Sequence, residues 1–248
     1  MIKTALASIL LCTAASALDE VQISQRIKIL ERASQFAEAV TYYEAWQKLA
    51  PDKVHVTHGY ARALDAIGEH QRIVDQLDAW LDNHPEDHVS ALLLGDAYRE
   101  LGNPESAVAS WRRALDKANT ISYGQVADRC RAAGLRQEAI RVLRAARKIE
   151  PALYNWELAS LHLEENDYRS AIERFVANLR QTPQRLPVIA NRLETVCRTE
   201  GNAVLETLAS ISIDEPLLLA HLTASCALAA GQPEVGLAVL ATLDDRGA

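Results

Sequence analysis

The sequence predicts an all-α protein that repeats a helical hairpin along most of its length. Composition is the first support: the 248 residues include only 2 Phe, 10 Gly and 8 Pro, while Ala, Leu, Glu and Arg dominate, which favours helix over strand. Spacing is the second, because Trp46 and Trp80 lie 34 residues apart, as do Pro51 and Pro85. A fixed period of this length is typical of stacked helical repeats.

Each repeat is predicted to contain a first helix A, a tight turn, a second helix B and a closing turn. The tight turns fall at residues that tolerate the left-handed backbone conformation ending a helix, namely Gly68, Gly102, Gly134 and Asn166. Helix B then carries a small or apolar residue and, four positions later, a larger apolar one on the same face. These pairs are Ala39 and Tyr43, Ile73 and Leu77, Ala107 and Trp111, Ala139 and Leu143, and Ala171 and Phe175.

Residues 88–119 show the unit most clearly. Leu94, Gly95 and Tyr98 mark helix A, Pro104 is a favourable first residue of helix B, and Trp111 belongs to its buried stripe. At these residues the sequence resembles the tetratricopeptide repeat (TPR) family, in its exported bacterial type. The resemblance covers nearly all of the chain after residue 17 and implies a right-handed α-solenoid of about six to seven TPR-like hairpins.

The repeat pattern divides the chain into three parts. Residues 1–17 are predicted to be a signal peptide, residues 18–185 a regular TPR array, and residues 186–248 degenerate TPR-like hairpins. The array departs from the family at His162, which stands at an aromatic position of helix A. The last two units, near Gly201 and Gly231, lack the Ala and the aromatic of helix B and have Glu206 and Gly236 at the Ala position.

The first residues have the features of an export signal. Lys3 precedes an apolar stretch over residues 5–11, and small residues lead to a predicted cleavage after Ala17. The apolar part is shorter than the ~20 residues that a transmembrane helix needs. We therefore expect a periplasmic protein without stable membrane insertion. Lipidation at Cys12 is the alternative, and Leu11 disfavours it because small residues usually precede a lipidated cysteine.

The charge balance argues against a nucleic-acid partner. Removing residues 1–17 takes away Lys3 alone among charged residues, which leaves 25 basic against 33 acidic side chains. A chain with this acidic excess repels phosphate backbones unless it concentrates its basic residues on one face.

Three cysteines follow the predicted signal peptide, at Cys130, Cys197 and Cys226. No CxxC pair occurs, so neither a redox motif nor a zinc site is indicated. Cys197 and Cys226 could form one disulfide in an oxidising compartment. The alternative is that all three are small buried thiols.

The concave helix A face of such a solenoid is its usual binding surface. The positions predicted to line it form a mixed polar groove, and we select as partner-binding candidates His58, Arg62, Asp96, Arg99, Arg131, Trp156 and Arg198. Guanidinium groups form bidentate pairs with carboxylates, so the arginines would hold an acidic or C-terminal peptide. The alternative is that they pair with aspartates of neighbouring helices, namely Asp65, Asp96 and Asp128.

Metal binding and catalysis find little support. His55 and His58, like His84 and His88, are spaced so that two could share an ion, but no further ligand at suitable spacing completes a site. There is no nucleophile elbow, phosphate loop or zinc protease motif. We expect no metal, no cofactor and no enzymatic activity.

The chain end suggests a second surface. The last helix carries Val235, Leu237, Val239, Leu240 and Leu243 with little chain after it, although solenoids need a polar cap over their final repeat. Self-association through this hairpin is one outcome, and inward packing is the other.

These features predict a non-enzymatic periplasmic scaffold that mediates protein–protein interactions during assembly of a cell-envelope complex. Outer-membrane biogenesis, pilus or secretion assembly, polysaccharide export and cytochrome maturation are the settings that the resemblance implies. The alternative is a periplasmic carbohydrate- or peptide-binding module that uses Trp156 and the polar groove.

Overall fold

The computed structural model describes residues 19–116, 119–211 and 215–247, with side chains as far as residue 241. The predicted signal peptide and Cys12 lie outside these residues, as does the side chain of Leu243. The described ranges contain no β-strand. They form thirteen α-helices: α1 (Glu20–Arg32), α2 (Phe36–Leu49), α3 (Val54–Ala66), α4 (His70–Asn83), α5 (His88–Glu100), α6 (Pro104–Arg113), α7 (Ile121–Ala132), α8 (Arg136–Ile149), α9 (Asn155–Glu164), α10 (Tyr168–Leu179), α11 (Leu186–Ser210), α12 (Pro216–Ala229) and α13 (Pro233–Gly247).

The chain forms two compact bodies. The N-terminal body, residues 1–134, contains α1 to α7, and the C-terminal body, residues 135–248, contains α8 to α13. Within the N-terminal body each helix packs on the next, and α3 also packs on α5, which joins the A helices of successive repeats. Within the C-terminal body the same sequential packing runs from α8 to α13. The all-α repeat architecture is confirmed.

The predicted helix terminators adopt the left-handed conformation. Positive φ angles occur at Gly68 (76°), Gly102 (73°), Gly134 (75°) and Asn166 (60°). After two of these turns an N-cap side chain starts helix B, because Asn103 accepts from the Ser106 N–H and Asp167 from the Ser170 N–H. The turns therefore both end one helix and begin the next.

Repeat six differs from this scheme. The sequence places the break between its helices A and B near Gly201, and α11 consists of two helical stretches that meet at Glu200, where the backbone is not helical (φ −119°, ψ 30°). The Asn202 side chain accepts a hydrogen bond from the Gln232 Nε2 at 2.6 Å rather than from the N–H groups of the second stretch. The two stretches therefore join at a kink, without the left-handed residue that ends the earlier A helices.

The paired helix B positions form the core of the hairpins. The small and large residues predicted from the spacing are all buried, with exposed fractions between 0% and 6%: Ala39, Tyr43, Ile73, Leu77, Ala107, Trp111, Ala139, Leu143, Ala171 and Phe175. Full burial of a large apolar side chain contributes about 1.5–3 kcal/mol. In the C-terminal body one continuous apolar core extends from Ala159 to Ala227 and joins α9, α10, α11 and α12.

Candidate functional site

Two predicted partner-binding residues of the N-terminal body are engaged in contacts between its helices. The Nε2 of His58 on α3 lies 2.9 Å from both carboxylate oxygens of Asp87. Asp87 also caps α5 and accepts from the Ser90 hydroxyl and the Trp80 indole N–H. Burial alone would raise the pKa of Asp87, but these hydrogen bonds outweigh it and lower the pKa. His58 thus joins α3 to the start of α5.

Asp96 performs a similar task on α5. It accepts a hydrogen bond from the Trp111 indole N–H at 3.0 Å and forms an ion pair with Arg129 of α7, also at 3.0 Å. Asp96 therefore pairs with an arginine of a neighbouring helix, but this arginine is Arg129, which is not one of the predicted arginines Arg62, Arg99 and Arg131.

The predicted arginines of the N-terminal body lie nearer to solvent. Arg99 pairs with the adjacent Glu100 at 2.6 Å. Arg62 and Arg131 are exposed, on α3 and α7. Partner binding by these side chains stays a prediction.

The C-terminal body contains an open groove between α9 and α11, with a volume of about 490 Å³. Both helices belong to the helix A series, so the groove lies where the repeat pattern places the binding face. Eight residues line it: Ser160, Leu163, Glu164, Val188, Asn191, Arg192, Thr195 and Val196. We call it the α9–α11 groove.

The hydroxyl groups of this groove are turned towards their own helices. Ser160 donates to the Trp156 carbonyl oxygen and Thr195 to the Asn191 carbonyl oxygen, both at 2.9 Å. Glu164 accepts from the Arg136 Nε at 3.3 Å. Asn191 is exposed, and its carboxamide makes no hydrogen bond to the described part of the chain, so it can donate to and accept from a ligand backbone.

Trp156 stands at one end of the groove, one helical turn before Ser160. Its ring packs edge-on against Phe175 at 5.6 Å, so the side chain belongs partly to the core. The guanidinium groups of Arg185 and Arg192 lie over the same ring, at 5.1 Å and 5.6 Å from its centroid. Trp156 was predicted as a site residue, and the structure adds the two arginines.

We call Arg185 and Arg192 the arginine pair. Neither forms an ion pair with a carboxylate of the residues described, so both keep their five N–H donors for an incoming acceptor. Two positive charges beside one aromatic ring raise the local positive potential. Neither arginine was among the predicted site residues, because the repeat register is lost after Arg185. Their spacing of seven residues, two helical turns, was the available signal.

Arg198 lies at a different place. It borders a second cavity, of about 420 Å³, near the kink of α11, together with Cys197, Gly201, Asn202, Ala230 and Gln232. Arg198 and Trp156, which were predicted to share one face, thus lie at separate openings.

The histidines do not gather into a metal site. His55 packs against Trp46 and His84 stacks on Trp80. Within the described ranges no group of three His, Cys, Asp or Glu side chains could hold a metal ion. None of the helices described is long and apolar enough to cross a membrane.

The last hairpin leaves apolar side chains in solvent. Leu217 and Leu228 of α12 are 73% and 71% exposed, and Leu237 and Leu240 of α13 are 68% and 43% exposed. Val235, by contrast, packs partly against the core. The hairpin therefore buries one face and exposes another.

Comparison with known proteins supports the repeat fold. The tetratricopeptide repeat family model matches residues 90–116, and no curated protein matches the sequence. A tetratricopeptide repeat protein from Parabacteroides merdae ATCC 43184 is 12% identical with a TM-score of 0.52, and the match covers 92% of this chain and 93% of that one. The crystal structure of MamA is 15% identical with a TM-score of 0.50, covering 66% of this chain and 92% of MamA. At these identities the likeness concerns the fold.

Proposed function

We propose that this chain, which matches the tetratricopeptide repeat model over residues 90–116 and shares the fold of a tetratricopeptide repeat protein, is a non-enzymatic scaffold that holds a polypeptide partner in the α9–α11 groove. One observation carries the proposal: an open groove on the helix A face ends at two arginines that have no carboxylate partner among the described residues. Charged side chains at a protein surface are usually either solvated or paired with an opposite charge. Here the guanidinium groups of Arg185 and Arg192 lie over the Trp156 ring beside the groove.

The lining selects the chemistry of the ligand. Leu163, Val188 and Val196 offer an apolar floor, and Val188 is 55% exposed. Asn191 can bond to a peptide backbone, and the arginine pair can bind a carboxylate in bidentate geometry. An extended peptide with an apolar side chain followed by an acidic group matches this order.

The predicted arginines outside the α9–α11 groove would add contacts to a larger partner. Arg62, Arg99 and Arg131 would contact a longer partner along the helix A positions of the N-terminal body, and Arg198 would do so at the second cavity. If partner binding does not change in Arg99→Ala combined with Arg131→Ala, the N-terminal arginines take no part.

We place the protein in the bacterial periplasm, as an adaptor in the assembly of a cell-envelope complex, on the strength of residues 1–17. The test is the mature mass and the cell fraction. A chain that starts at Leu18 in the periplasmic fraction supports the proposal, while a full-length cytosolic chain or an acylated Cys12 contradicts it.

The partner can be captured with a photo-reactive amino acid at Val188 in the native cell. Ile149, 42% exposed on α8 in the same body, provides the control position. A partner crosslinked from Val188 and not from Ile149 is then purified for affinity measurements.

Affinity should depend on the arginine pair. We expect Arg185→Ala combined with Arg192→Ala to weaken binding about ten- to a hundredfold, since a hydrogen bond to a charged group contributes about 1.5–3 kcal/mol. The matched control is Arg141→Ala with Arg169→Ala, which removes the same charge from α8 and α10. Equal weakening by both double variants would show that only net charge matters and would reject the groove.

The carbohydrate-binding alternative draws on Trp156. Because both guanidinium groups lie over its ring, less of the ring is available for stacking on a sugar. A glycan array with clear binding that is lost in Trp156→Ala, together with no captured polypeptide, would favour that alternative.

A further inference from the structure

Two cysteines face each other inside the C-terminal body. Cys197 lies on α11 one turn before its kink, and Cys226 lies on α12. Both belong to the same apolar core and are 1% and 0% exposed. Each thiol shifts the pKa of the other, as expected for neighbouring side chains in this core. The two cysteines are thus neighbours in the fold although 29 residues separate them in the sequence.

The backbone of the two helices is unusually close at this point. A Cβ atom built on Gly201 would stand 2.5 Å from the Cβ of Ala230, so only glycine fits there. Gly201 follows Cys197 by four residues and Ala230 follows Cys226 by four, so the two pairs have the same spacing along the chain, with the kink of α11 at Glu200 between Cys197 and Gly201. A disulfide needs a Cβ separation of about 3.5–4.5 Å. Because α11 and α12 approach so closely at Gly201 and Ala230, we expect the Cβ atoms of Cys197 and Cys226 to be near this separation.

One of the two thiols borders solvent-accessible space. Cys197 is one of the residues that line the open 420 Å³ cavity beside the α11 kink, whereas Cys226 is not. The neighbouring Cys226 lowers the pKa of Cys197, whereas Cys197 and burial together raise the pKa of Cys226. Because Cys197 is the cysteine at the cavity and the thiolate is the attacking species, Cys197 is the thiol that reacts first.

We propose that Cys197 and Cys226 form a dithiol site that a small-molecule disulfide oxidises to an intramolecular disulfide joining α11 to α12. The Cys197 thiolate attacks one sulfur of glutathione disulfide and releases one glutathione thiolate. The Cys226 thiol then loses its proton and attacks the Cys197 sulfur, which expels the second glutathione. Two protein thiols become one disulfide, and both electrons and both protons pass to two molecules of glutathione.

The crosslink would fix the last hairpin to the rest of the C-terminal body. A disulfide stabilises mainly by limiting the unfolded chain, and the effect grows with the length of the closed loop. For a loop of this length we expect the Tm to rise by on the order of 5–10 °C.

The full chain is reduced, incubated with glutathione disulfide, alkylated and analysed by peptide mass spectrometry. We expect a crosslinked peptide pair containing Cys197 and Cys226 that is lighter by two hydrogens, together with the rise in Tm. Cys130, buried on α7, is the control thiol, and Cys130→Ala should form the same crosslink. Persistence of both thiols under oxidation, or a crosslink to Cys130 instead, would overturn the proposal.

Single variants separate the two roles. In Cys226→Ala the reaction should stop at a glutathione adduct on Cys197, and in Cys197→Ala the remaining Cys226 should stay unmodified. An adduct on Cys226 in the second variant would overturn the assignment of Cys197 as the attacking thiol. The wild-type mass measurement decides the crosslink even if a variant fails to fold.

Discussion

Gly95 shows why helix A of a hairpin needs a residue without a side chain. A Cβ atom there would stand 2.3 Å from Cδ1 of Trp111 and 2.9 Å from the Ala107 carbonyl oxygen. Trp111 is completely buried, and its indole N–H is held by Asp96. The ring therefore cannot move aside without losing both its packing and its hydrogen bond.

We expect Gly95→Ala to lower the free energy of unfolding by about 1–3 kcal/mol, as overpacking of a close-packed core does. Gly102→Ala is the control. Nothing lies within 4 Å of the Cβ position there, and only the positive φ of 73° opposes the change, which costs about 1–2 kcal/mol. Urea unfolding of both variants, with tryptophan fluorescence, measures the difference. A tryptophan emission spectrum that is shifted in Gly102→Ala and native in Gly95→Ala would contradict this account.

His162 occupies a position where the family pattern has an aromatic residue, and it is 4% exposed. Its Nδ1 lies 3.0 Å from Asp167, while Arg144 approaches the opposite ring nitrogen at 3.4 Å. Burial is the main cause that lowers the pKa of His162; Asp167 opposes the shift, and Arg144 and Arg174 add to it. The folded protein thus binds this proton more weakly than the unfolded chain does.

Stability should therefore fall as the pH drops through the ordinary range of histidine, near 6.5. His162→Phe removes this titrating group and keeps a ring of similar size. We expect its Tm relative to the native protein to be higher at pH 5 than at pH 7.5. The exposed His221 on α12, changed to Gln, should leave the native pH dependence in place. Parallel pH profiles of His162→Phe and the native protein would refute the burial argument.

Not every site residue could be located from the sequence. The repeat register assigns Ser160, Glu164 and Asn191 to helix A positions, and these residues line one groove, because helical spacing decides which residues share a face. The register could not predict that His58 would contact Asp87 or that Asp96 would pair with Arg129, since these partners lie 29 and 33 residues away in the sequence. Such pairs depend on how neighbouring hairpins stack, which the spacing within one hairpin does not determine.

At the scale of elements, α11 shows the limit of turn prediction. Gly201 matches the spacing of the earlier terminators, but its neighbour Asn202 bonds to Gln232 rather than capping a new helix. The choice between a turn and a kink depends on this tertiary contact. A glycine indicates where a helix can end, and a side chain that caps the next helix determines whether a turn forms there.

The α12–α13 hairpin should associate with a second copy of the chain if its exposed leucines are a contact surface. We expect Leu228→Glu combined with Leu237→Glu to shift the protein towards monomer, because each change places a charge in an apolar interface. Sedimentation velocity at several concentrations measures the shift. The control is Leu101→Glu, at a side chain that is 44% exposed in the N-terminal body. A native protein that stays monomeric at high concentration would exclude self-association.

At the scale of the whole chain, the periodicity predicted the helical class and the order of hairpins. It did not predict the division at residue 134, which falls inside the fourth repeat. The spacing of 32 residues on either side of Gly134 gives no sign of a boundary, because α7 and α8 each keep the composition of an ordinary repeat helix. Boundaries between compact bodies depend on the number of contacts across them, and a repeat pattern does not encode that number.

The side-chain hydrogen bonds between helices join residues that are close to one another in the sequence. Among the side-chain hydrogen bonds described, the widest separation is 41 residues, between Arg169 and Ser210. A newly emerging polypeptide thus needs little more than one further repeat before the preceding one can complete its contacts, and low contact order favours rapid formation. We expect the protein to acquire its structure progressively from the N-terminus, whether it leaves a ribosome or a membrane channel, without waiting for its last residues.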